Sequence, residues 1–316
     1  MPAGAPTSIE SGLTGCEAAR PWWRPGRGAM QQWHGWAFLA PSLGLLAAFA
    51  IYPLISALWL SLHERHIFSR DSTFVGLANF TELAGSDAFW SAVVNSFVFS
   101  IATVVLQLVV GIATALMLHR RFAGRAFVRG LVLFPLVLPT IVAVLIWKWM
   151  LNDLYGVVNT MLAALGITDQ PPVWLGAPGV AMATVIVLNV WMFFPFVTVN
   201  VLARLQMIAA DLLEAARVDG AGAIQRFRHV VLPELWSTIG LVLVIRSIWM
   251  FNKFDSVWLL TGGGPLGTTE TLPLLAYRRA FSDYELGMGA AVSTAIFLIL
   301  AALAWIYARL LQTDMR

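Results

Sequence analysis

Six long apolar stretches dominate this sequence and most strongly constrain its fold. A bilayer core about 30 Å thick is crossed by about 20 helical residues, and backbone groups in hydrocarbon must be hydrogen-bonded within the segment. We therefore predict an all-α, polytopic membrane protein with about six transmembrane helices. The fifth stretch contains Arg246, Lys253 and Asp255, but its flanks are strongly apolar. The predicted spans are residues 36–60, 92–118, 131–151, 180–202, 237–259 and 289–310.

The composition also indicates a lipid environment. Of the 316 residues, 59% are hydrophobic and only 12% are charged, whereas a soluble domain carries about 25% charged residues. The formal charge is +3, and the basic residues lie mostly at the ends of apolar stretches. This placement favours contact with membrane lipid over binding of nucleic acid. Cys16 is the single cysteine, which excludes an internal disulfide and a multi-cysteine metal site.

The uneven distribution of arginine predicts the orientation in the membrane. Arginines concentrate in the N-terminal tail and in the connections after the second and fourth stretches, whereas the connection 152–179 contains no lysine or arginine. We therefore expect both termini to be cytoplasmic. Residues 1–35 have no apolar core, and we interpret them as a flexible cytoplasmic tail rather than a signal peptide. Residues 36–316 form the predicted transmembrane domain.

The connection 209–235, between the fourth and fifth stretches, is polar and long enough to fold. Asp211 is a candidate helix cap, and Glu214 three positions later completes a pattern similar to a capping box. Gly220 tolerates a positive φ, which is a usual way to end a helix. A second short helix fits residues 222–231. We predict a helix-turn-helix on the cytoplasmic side of the membrane.

At this loop the chain resembles the permeases of ABC importers, whose "EAA" loop has the same elements at the same spacing. Pro233 ends the second predicted helix or starts the fifth span. Other motifs resemble the sugar-type branch of the family, the maltose and glycerol-phosphate permeases, and the resemblance extends from about Trp36 to the C-terminus. The matching loop residues are Glu214, Ala215, Ala216, Asp219, Gly220, Ala221, Phe227, Leu232 and Pro233. The other matching residues are 52–53, 74–77, 79–80, 138–139, 147–149, 174–176 and 261–265.

The resemblance implies a transport subunit rather than an enzyme. In that family the EAA loop docks in a cleft of a cytoplasmic ABC ATPase dimer, so ATP is bound by the partner and this chain needs no cofactor. A second, homologous permease subunit, a periplasmic or lipid-anchored solute-binding protein and a bacterial or archaeal cytoplasmic membrane are also implied. An ordinary solvated loop is the alternative interpretation. The expected coupling residues are Glu214, Ala215, Ala216, Asp219, Gly220, Ala221, Phe227 and Pro233.

Polar and aromatic residues within the predicted spans suggest a solute site. Arg246, Trp249, Met250 and Lys253 are spaced so that they share one helical face. The alternative is helix packing, because such residues also bond neighbouring helices, and Lys253 has Asp255 as a candidate partner. Aromatic rings stack on sugars, while amides, hydroxyls and guanidinium groups bond sugar hydroxyls. By resemblance to the maltose-type permease, the expected sugar-binding residues are Leu136, Thr140, Asn189, Phe193, Arg246, Trp249 and Met250.

Other functional classes have less support in the sequence. The two lysines, Lys148 and Lys253, do not follow glycine, so a P-loop is absent, and no HExxH or GxSxG motif predicts a membrane-embedded enzyme. A self-sufficient secondary transporter would need paired buried carboxylates or inverted repeats, and only the fifth stretch holds a carboxylate. A permease for glycerol phosphate stays open, because Arg246 favours an acidic or phosphorylated solute.

The predicted orientation can be tested with single cysteines in a Cys16→Ser background. Thr168→Cys lies in the connection 152–179, and Gln225→Cys lies in the connection 209–235. A membrane-impermeant thiol reagent added outside intact cells should modify Thr168→Cys, whereas Gln225→Cys should react only after the membrane is opened. The reverse labelling pattern would contradict the orientation.

Overall fold

The computed structural model describes residues 27–69, 71–168 and 170–314. These residues are mainly helical, and the chain divides into two compact units between Ile55 and Ser56. The predicted all-α membrane fold is confirmed, because five helices are long and apolar enough to cross a membrane and a bent pair is a sixth candidate. The five are Phe38–Ser61, Asp87–His119, Val180–Met207, Ala223–Phe251 and Leu286–Arg309.

The described elements are helices of very different lengths, three π turns and one minimal hairpin of antiparallel strands. In chain order they are α1 (Arg27–Leu46), a π turn (Ala47–Ile51), α2 (Tyr52–Ser61), β1 (His63–Glu64), β2 (Thr73–Phe74), α3 (Ala78–Ala84), α4 (Asp87–His119), α5 (Arg125–Val137), α6 (Thr140–Met150), α7 (Val157–Ala164), α8 (Val180–Met207), α9 (Ala210–Val218), α10 (Ala223–Arg226), a π turn (Phe227–Val231), α11 (Leu232–Phe251), α12 (Asp255–Thr261), α13 (Leu272–Tyr277), a π turn (Arg278–Ser282) and α14 (Leu286–Asp314).

The first span is helical from an earlier residue than predicted. α1 runs through a π turn into α2 without a break. Of the tail predicted for residues 1–35, the part before Arg27 lies outside the described residues, and the rest belongs to α1. Once a helix has started, each added residue gains one hydrogen bond, so a helix extends readily into polar flanking sequence.

The second and fourth spans, α4 and α8, form the centre of the larger unit and pack closely along their length. Gly111 makes the contact close, because a Cβ at this position would lie 2.5 Å from the Cβ of Val197. Thr198 Oγ1 donates a hydrogen bond to the Gly111 carbonyl across the same contact, at 3.3 Å. Small residues at a helix crossing are typical of packing in membranes, where close van der Waals contact drives association.

The third predicted span, residues 131–151, is not one straight helix. α5 and α6 are bent by 98° at a break between them. Pro139 lacks an N–H and disfavours a helical conformation at the residue before it, and Leu138 is accordingly extended, with φ −68° and ψ 133°. The prediction of a continuous span is therefore wrong, and this stretch is a broken span or a re-entrant segment.

The start of the fifth span is also different from the prediction. α10, a π turn and α11 form one continuous helix, so the separate helix predicted for residues 222–231 is the beginning of the span. Pro233 is the second residue of α11, so it lies where the α-helical part of the span begins, but it does not end the helical segment before it. In an α-helix its ring would clash with the carbonyl of His229, four residues earlier. His229 lies in the π turn, whose wider hydrogen-bond spacing accommodates the proline.

The fifth span ends before the predicted residue 259. α11 ends at Phe251, and after a short break the chain continues as α12. Two polar side chains pair at this break: the Lys253 Nζ lies 2.8 Å from Asp255 Oδ1, and the same oxygen accepts a hydrogen bond from the backbone N–H of Ser256 at 2.9 Å. The carboxylate therefore stabilises the start of α12, and the polar residues explain why one apolar helix does not continue.

Candidate functional site

Between α8 and α11, a tight turn joins α9 to α10, which is the beginning of the fifth span, but α9 is not capped as predicted. Ala209 is the N-cap residue of α9, and no side chain caps this end. Asp211 lies inside the first turn, where a negative charge is favourable near the helix N-terminus. Glu214 lies further along α9, so the predicted capping box between Asp211 and Glu214 is wrong.

The turn after α9 has the predicted glycine geometry. Gly220 has φ +78°, and the hydrogen bond from its N–H to the Arg217 carbonyl is 3.0 Å long. The Ala221 N–H donates to the Ala216 carbonyl at 2.9 Å. This pattern is a Schellman-type helix end, which satisfies carbonyls at the end of α9. A Cβ at Gly220 would meet no atom within 4 Å, so a larger residue would be opposed by backbone strain and not by a clash.

The loop presents both apolar and charged side chains at its surface. Val218 is 87% exposed and Ile224 is 82% exposed. Glu214 and Asp219 are exposed, and within the described residues neither side chain has a hydrogen bond or an ion pair. Exposed apolar side chains with a polar rim are typical of a protein-binding surface. All of the predicted coupling residues are exposed or partly exposed. They are Glu214, Ala215, Ala216, Asp219, Gly220, Ala221, Phe227 and Pro233.

A buried guanidinium group lies at the contact of α4, α8 and α11. Arg246 is 1% exposed. Its Nε donates to Gln107 Oε1 at 2.9 Å, and its Nη2 lies 3.6 Å from Met250 Sδ. Its Cζ lies 4.7 Å from the centroid of the Phe193 ring and 5.6 Å from that of Trp249. Among the described residues no carboxylate lies within ion-pair distance of Arg246, so hydrogen bonds and aromatic faces stabilise its charge.

Gln107 is a member of this cluster that the sequence reasoning missed. Its Oε1 accepts from Arg246, and its Nε2 donates to the Asn189 carbonyl at 2.9 Å. Gln107 thereby links α4 to both α8 and α11, and it is fully buried. One signal could have identified it, since it is the polar residue with the longest side chain within the apolar α4. We call Gln107, Asn189, Phe193, Arg246 and Met250 the polar cluster.

Asn189 is fully buried and bonded to protein on both sides of its amide. Its Nδ2 donates to the Val185 carbonyl at 2.8 Å, and its Oδ1 accepts from Ser256 Oγ at 3.0 Å. This bond joins α8 to α12. In this conformation Asn189 therefore acts between helices, the role that packing would give it.

Lys253 lies at the edge of the polar cluster and pairs with Asp255, as one sequence interpretation expected. Besides the ion pair, its Nζ lies 4.8 Å from the centroid of the Phe193 ring. Phe193 therefore has two cations against its ring, Arg246 and Lys253, of which one has a carboxylate partner. Among the described residues, these three charged groups leave one excess positive charge beside Phe193.

The remaining predicted solute residues are more exposed. Trp249 is 52% exposed and Leu136 is 39% exposed, while Thr140 is half-buried. Leu136 and Thr140 flank the break between α5 and α6, and Leu138 within the break packs in the same apolar cluster as Phe193. The structure thus brings Phe193, Arg246, Trp249 and Met250 into direct contact. No hydrogen bond joins Thr140 to them within the described residues.

A second buried charge lies in the loop between α12 and α13. The Glu270 carboxylate is approached by Arg278 Nη1, 3.1 Å from Oε1 and 3.2 Å from Oε2. Asn95 Nδ2 donates to the Gly267 and Glu270 carbonyls, both at 3.0 Å. Burial raises the pKa of the Glu270 carboxyl, and the charges of Arg278 and Arg279 oppose this rise. The loop is therefore tied to α4 and to the segment that follows α13.

Metal chemistry has no support in the described part of the chain, where no three His, Cys, Asp or Glu side chains are grouped as a metal site would need. The arrangement provides instead an exposed loop at one end and a buried polar cluster with an exposed tryptophan beside it. Such an arrangement offers surfaces for binding.

Gln107 should be important for stability if it satisfies the buried Arg246. Gln107→Leu removes the acceptor for Arg246 Nε and the donor to Asn189, so it should lower the free energy of unfolding by about 1–3 kcal/mol. The measurement is a denaturation curve of the purified protein in mixed micelles. Gln170→Leu, the same change at an exposed position, is the control. Equal effects of the two substitutions would contradict the assigned role of Gln107.

Comparison with known proteins identifies the family. Residues 107–316 match the family described as "Binding-protein-dependent transport system inner membrane component". The chain is 36% identical over 274 residues to the trehalose/maltose transport system permease protein MalF of Thermococcus litoralis, covering 86% of this chain and 92% of the relative. It is 32% identical to the trehalose transport system permease protein SugA of Mycobacterium tuberculosis, with 86% of each chain covered.

Solved structures agree on the fold. A chain of a bacterial ABC transporter involved in the import of the acidic polysaccharide alginate superposes with a TM-score of 0.76, at 23% identity, covering 89% of this chain and 97% of the other. The MetNI methionine ABC transporter gives a TM-score of 0.52 at 18% identity, with 73% of this chain and 100% of the other covered. The chain therefore belongs to the family of inner membrane components of binding-protein-dependent transport systems, and it is a multi-pass membrane permease.

Proposed function

We propose that this chain is the permease subunit of an ATP-driven ABC importer for a sugar or a sugar-like solute. Family membership supports the transport role, and the names of the trehalose and maltose relatives support the solute class. The observation that carries the proposal is the exposed turn between α9 and α10, around which the residues that resemble the EAA loop lie. In this role the chain is not an enzyme and needs no cofactor, because ATP is bound by a partner.

The partner at this loop is a cytoplasmic ABC ATPase dimer. The exposed side chains of Val218 and Ile224 supply apolar contact area, while the unpaired carboxylates of Glu214 and Asp219 supply directional contacts. The Gly220 turn keeps the two helices in a fixed relation. On this proposal the loop and both termini are cytoplasmic, in the cytoplasmic membrane of a bacterium or archaeon.

A second, homologous permease completes the solute path, and a periplasmic or lipid-anchored binding protein delivers the solute. Around the break between α5 and α6 the larger unit leaves apolar side chains uncovered, and Val137 is 81% exposed. Irregular backbone at membrane depth needs protein or a water-filled path around it. A second permease facing this break would supply that cover, and the remaining apolar surface would contact membrane lipid.

The solute site proposed here uses two layers of residues. Leu136, Thr140 and Trp249 have accessible surface and would contact the solute. Asn189, Phe193, Arg246 and Met250 are more buried and would support this surface, since the Arg246 guanidinium lies over the Trp249 ring. Exposed aromatic faces suit the apolar faces of sugar rings.

An acidic or phosphorylated sugar is the second candidate for the solute. The observation that favours it is the excess positive charge of Arg246 and Lys253 over Asp255. A neutral sugar is still the first candidate, because the Arg246 guanidinium is buried and already donates a hydrogen bond to Gln107. Uptake of a panel that includes neutral, acidic and phosphorylated sugars distinguishes the two.

The docking role of the loop can be tested with Glu214→Ala and Gly220→Val. Glu214→Ala removes a polar contact, and Gly220→Val strains the turn by about 1 kcal/mol or more. Both should leave membrane insertion intact, lower the amount of ATPase that co-purifies with this chain and reduce uptake. The ratio of ATPase to permease in the purified complex is the measurement.

Two matched controls separate docking from folding. Gly166 has φ +66° with open space around it, so Gly166→Val imposes similar backbone strain outside the loop. Glu82→Ala removes an exposed carboxylate elsewhere. Both controls should keep the normal ATPase ratio. Normal ratios and uptake for Glu214→Ala and Gly220→Val would rule out this loop as the coupling element.

The proposed solute face can be tested with Trp249→Ala. Loss of the ring should cost about 1 kcal/mol of solute interaction, which corresponds to about a fivefold loss of affinity. Uptake should fall while the complex assembles and the binding protein still stimulates ATP hydrolysis. Trp90→Ala is the control, because Trp90 is 53% exposed and lies outside the cluster. Unchanged uptake by Trp249→Ala across the sugar panel would exclude Trp249 from the solute path.

A further inference from the structure

One ion pair joins the two ends of the loop between α8 and α11. Arg204, in the last turn of α8, places Nη2 2.7 Å from Glu234 Oε2, and its Nε donates to the Glu234 backbone carbonyl at 2.9 Å. Glu234 lies in the first turn of α11. A single guanidinium thus holds both the side chain and the main chain of the opposite helix, a geometry that lysine does not reproduce.

The residues next in sequence to this pair are buried together. Leu205 is 4% exposed and Leu235 is fully buried, and both belong to one apolar cluster that also contains Val201 and Val242. The ion pair therefore lies at the edge of a packed contact between α8 and α11. The apolar contact brings the two helices together, and the guanidinium defines how one helix end is aligned with the other.

The other polar contacts of the loop are internal to it. Gln225 Oε1 accepts from the Gly222 N–H at 2.8 Å, and Arg226 Nη1 donates to the Ala221 carbonyl at 2.6 Å. Within the described residues, the ion pair of Arg204 and Glu234 is the only salt bridge that connects α8 with α11. A force applied to α9 and α10 is transmitted to α8 and α11 at the two helix ends that this pair joins, the last turn of α8 and the first turn of α11.

We infer that the Arg204–Glu234 pair makes the ends of α8 and α11 move as one unit when the loop is displaced, so that Arg204 is a positioning residue for energy coupling. The inference rests on the proposed function, in which an ATPase displaces this loop. Without the pair, the loop could shift relative to one span while the ATPase stays bound. ATP would then be hydrolysed without a matching movement of the solute path.

Because the ion pair lies at the edge of the packed contact, its role in energy coupling can be tested without disrupting folding. Both side chains are about one-third exposed, and partly exposed ion pairs contribute little to stability. Variants of Arg204 and Glu234 are therefore expected to insert and assemble, because the apolar cluster beneath the pair is unchanged. The effect should appear in the number of solute molecules transported per ATP hydrolysed.

The test uses the purified assembly of both permeases, the ATPase and the binding protein in proteoliposomes, where uptake and ATP hydrolysis are measured together. Arg204→Ala and Glu234→Gln should lower the ratio of solute transported to ATP hydrolysed by about threefold or more. ATPase should co-purify at the wild-type ratio. Arg204→Lys, which keeps the charge but not the two-point contact, should give an intermediate ratio.

The double variant Arg204→Ala/Glu234→Ala tests whether the two residues act as a pair. If they do, the double variant should be no worse than Arg204→Ala alone or Glu234→Ala alone, whereas independent roles would give additive losses. Arg120→Ala, an exposed arginine after α4, is the control and should keep the wild-type ratio. If Arg204→Ala fails to assemble, Glu234→Gln, which keeps the size of the side chain, is judged by the same criterion.

The outcomes separate this inference from the proposed function. A normal transport-to-hydrolysis ratio in Arg204→Ala or in Glu234→Gln, or additive losses in the double variant, would overturn the role of the pair and leave the proposed function intact. Failure of the wild-type chain to co-purify with an ATPase would overturn the proposed function itself.

Discussion

The need to satisfy every backbone polar group within hydrocarbon determines this structure. It makes long continuous helices the default and makes each break costly unless protein or water covers it. The larger unit has two such breaks, at Leu138–Pro139 and between Phe251 and Asp255. The helices that follow them, α6 and α12, pack against each other and against α8. The two irregular segments thus share one region, and the polar cluster adjoins it.

The buried charge of Arg246 illustrates how the interior tolerates polar groups. A guanidinium in this position is stabilised by one amide oxygen, a thioether sulfur and aromatic faces, instead of a carboxylate. Gln107 is essential to this arrangement because it satisfies Arg246 and the Asn189 carbonyl at once. The same contacts hold α4, α8 and α11 together, so the residues that would orient the solute face also maintain the helix packing.

Sequence reasoning predicted the membrane class, five of the six spans and the tight turn after α9, because these depend on the amount of apolar sequence and on glycine geometry. Gly220, for example, adopts the positive φ that its position indicated. Hydropathy measures length and not direction, so it did not distinguish the bend at Pro139 from a straight span. It also did not reveal that the π turn before Pro233 lets one helix continue from Ala223 to Phe251. Gln107 was missed because its role depends on a partner 139 residues away.

On the proposed function, this chain provides a passage for the solute, and the energy for transport comes from another subunit. The most direct measurement compares uptake of labelled trehalose or maltose by proteoliposomes that contain this chain alone with uptake by the complete assembly. We expect ATP-dependent uptake by the complete assembly. For the chain alone we expect uptake no greater than that of empty liposomes, with or without a proton or sodium gradient. Gradient-driven uptake by the chain alone would rule out the proposed function, because it would identify a self-sufficient secondary transporter.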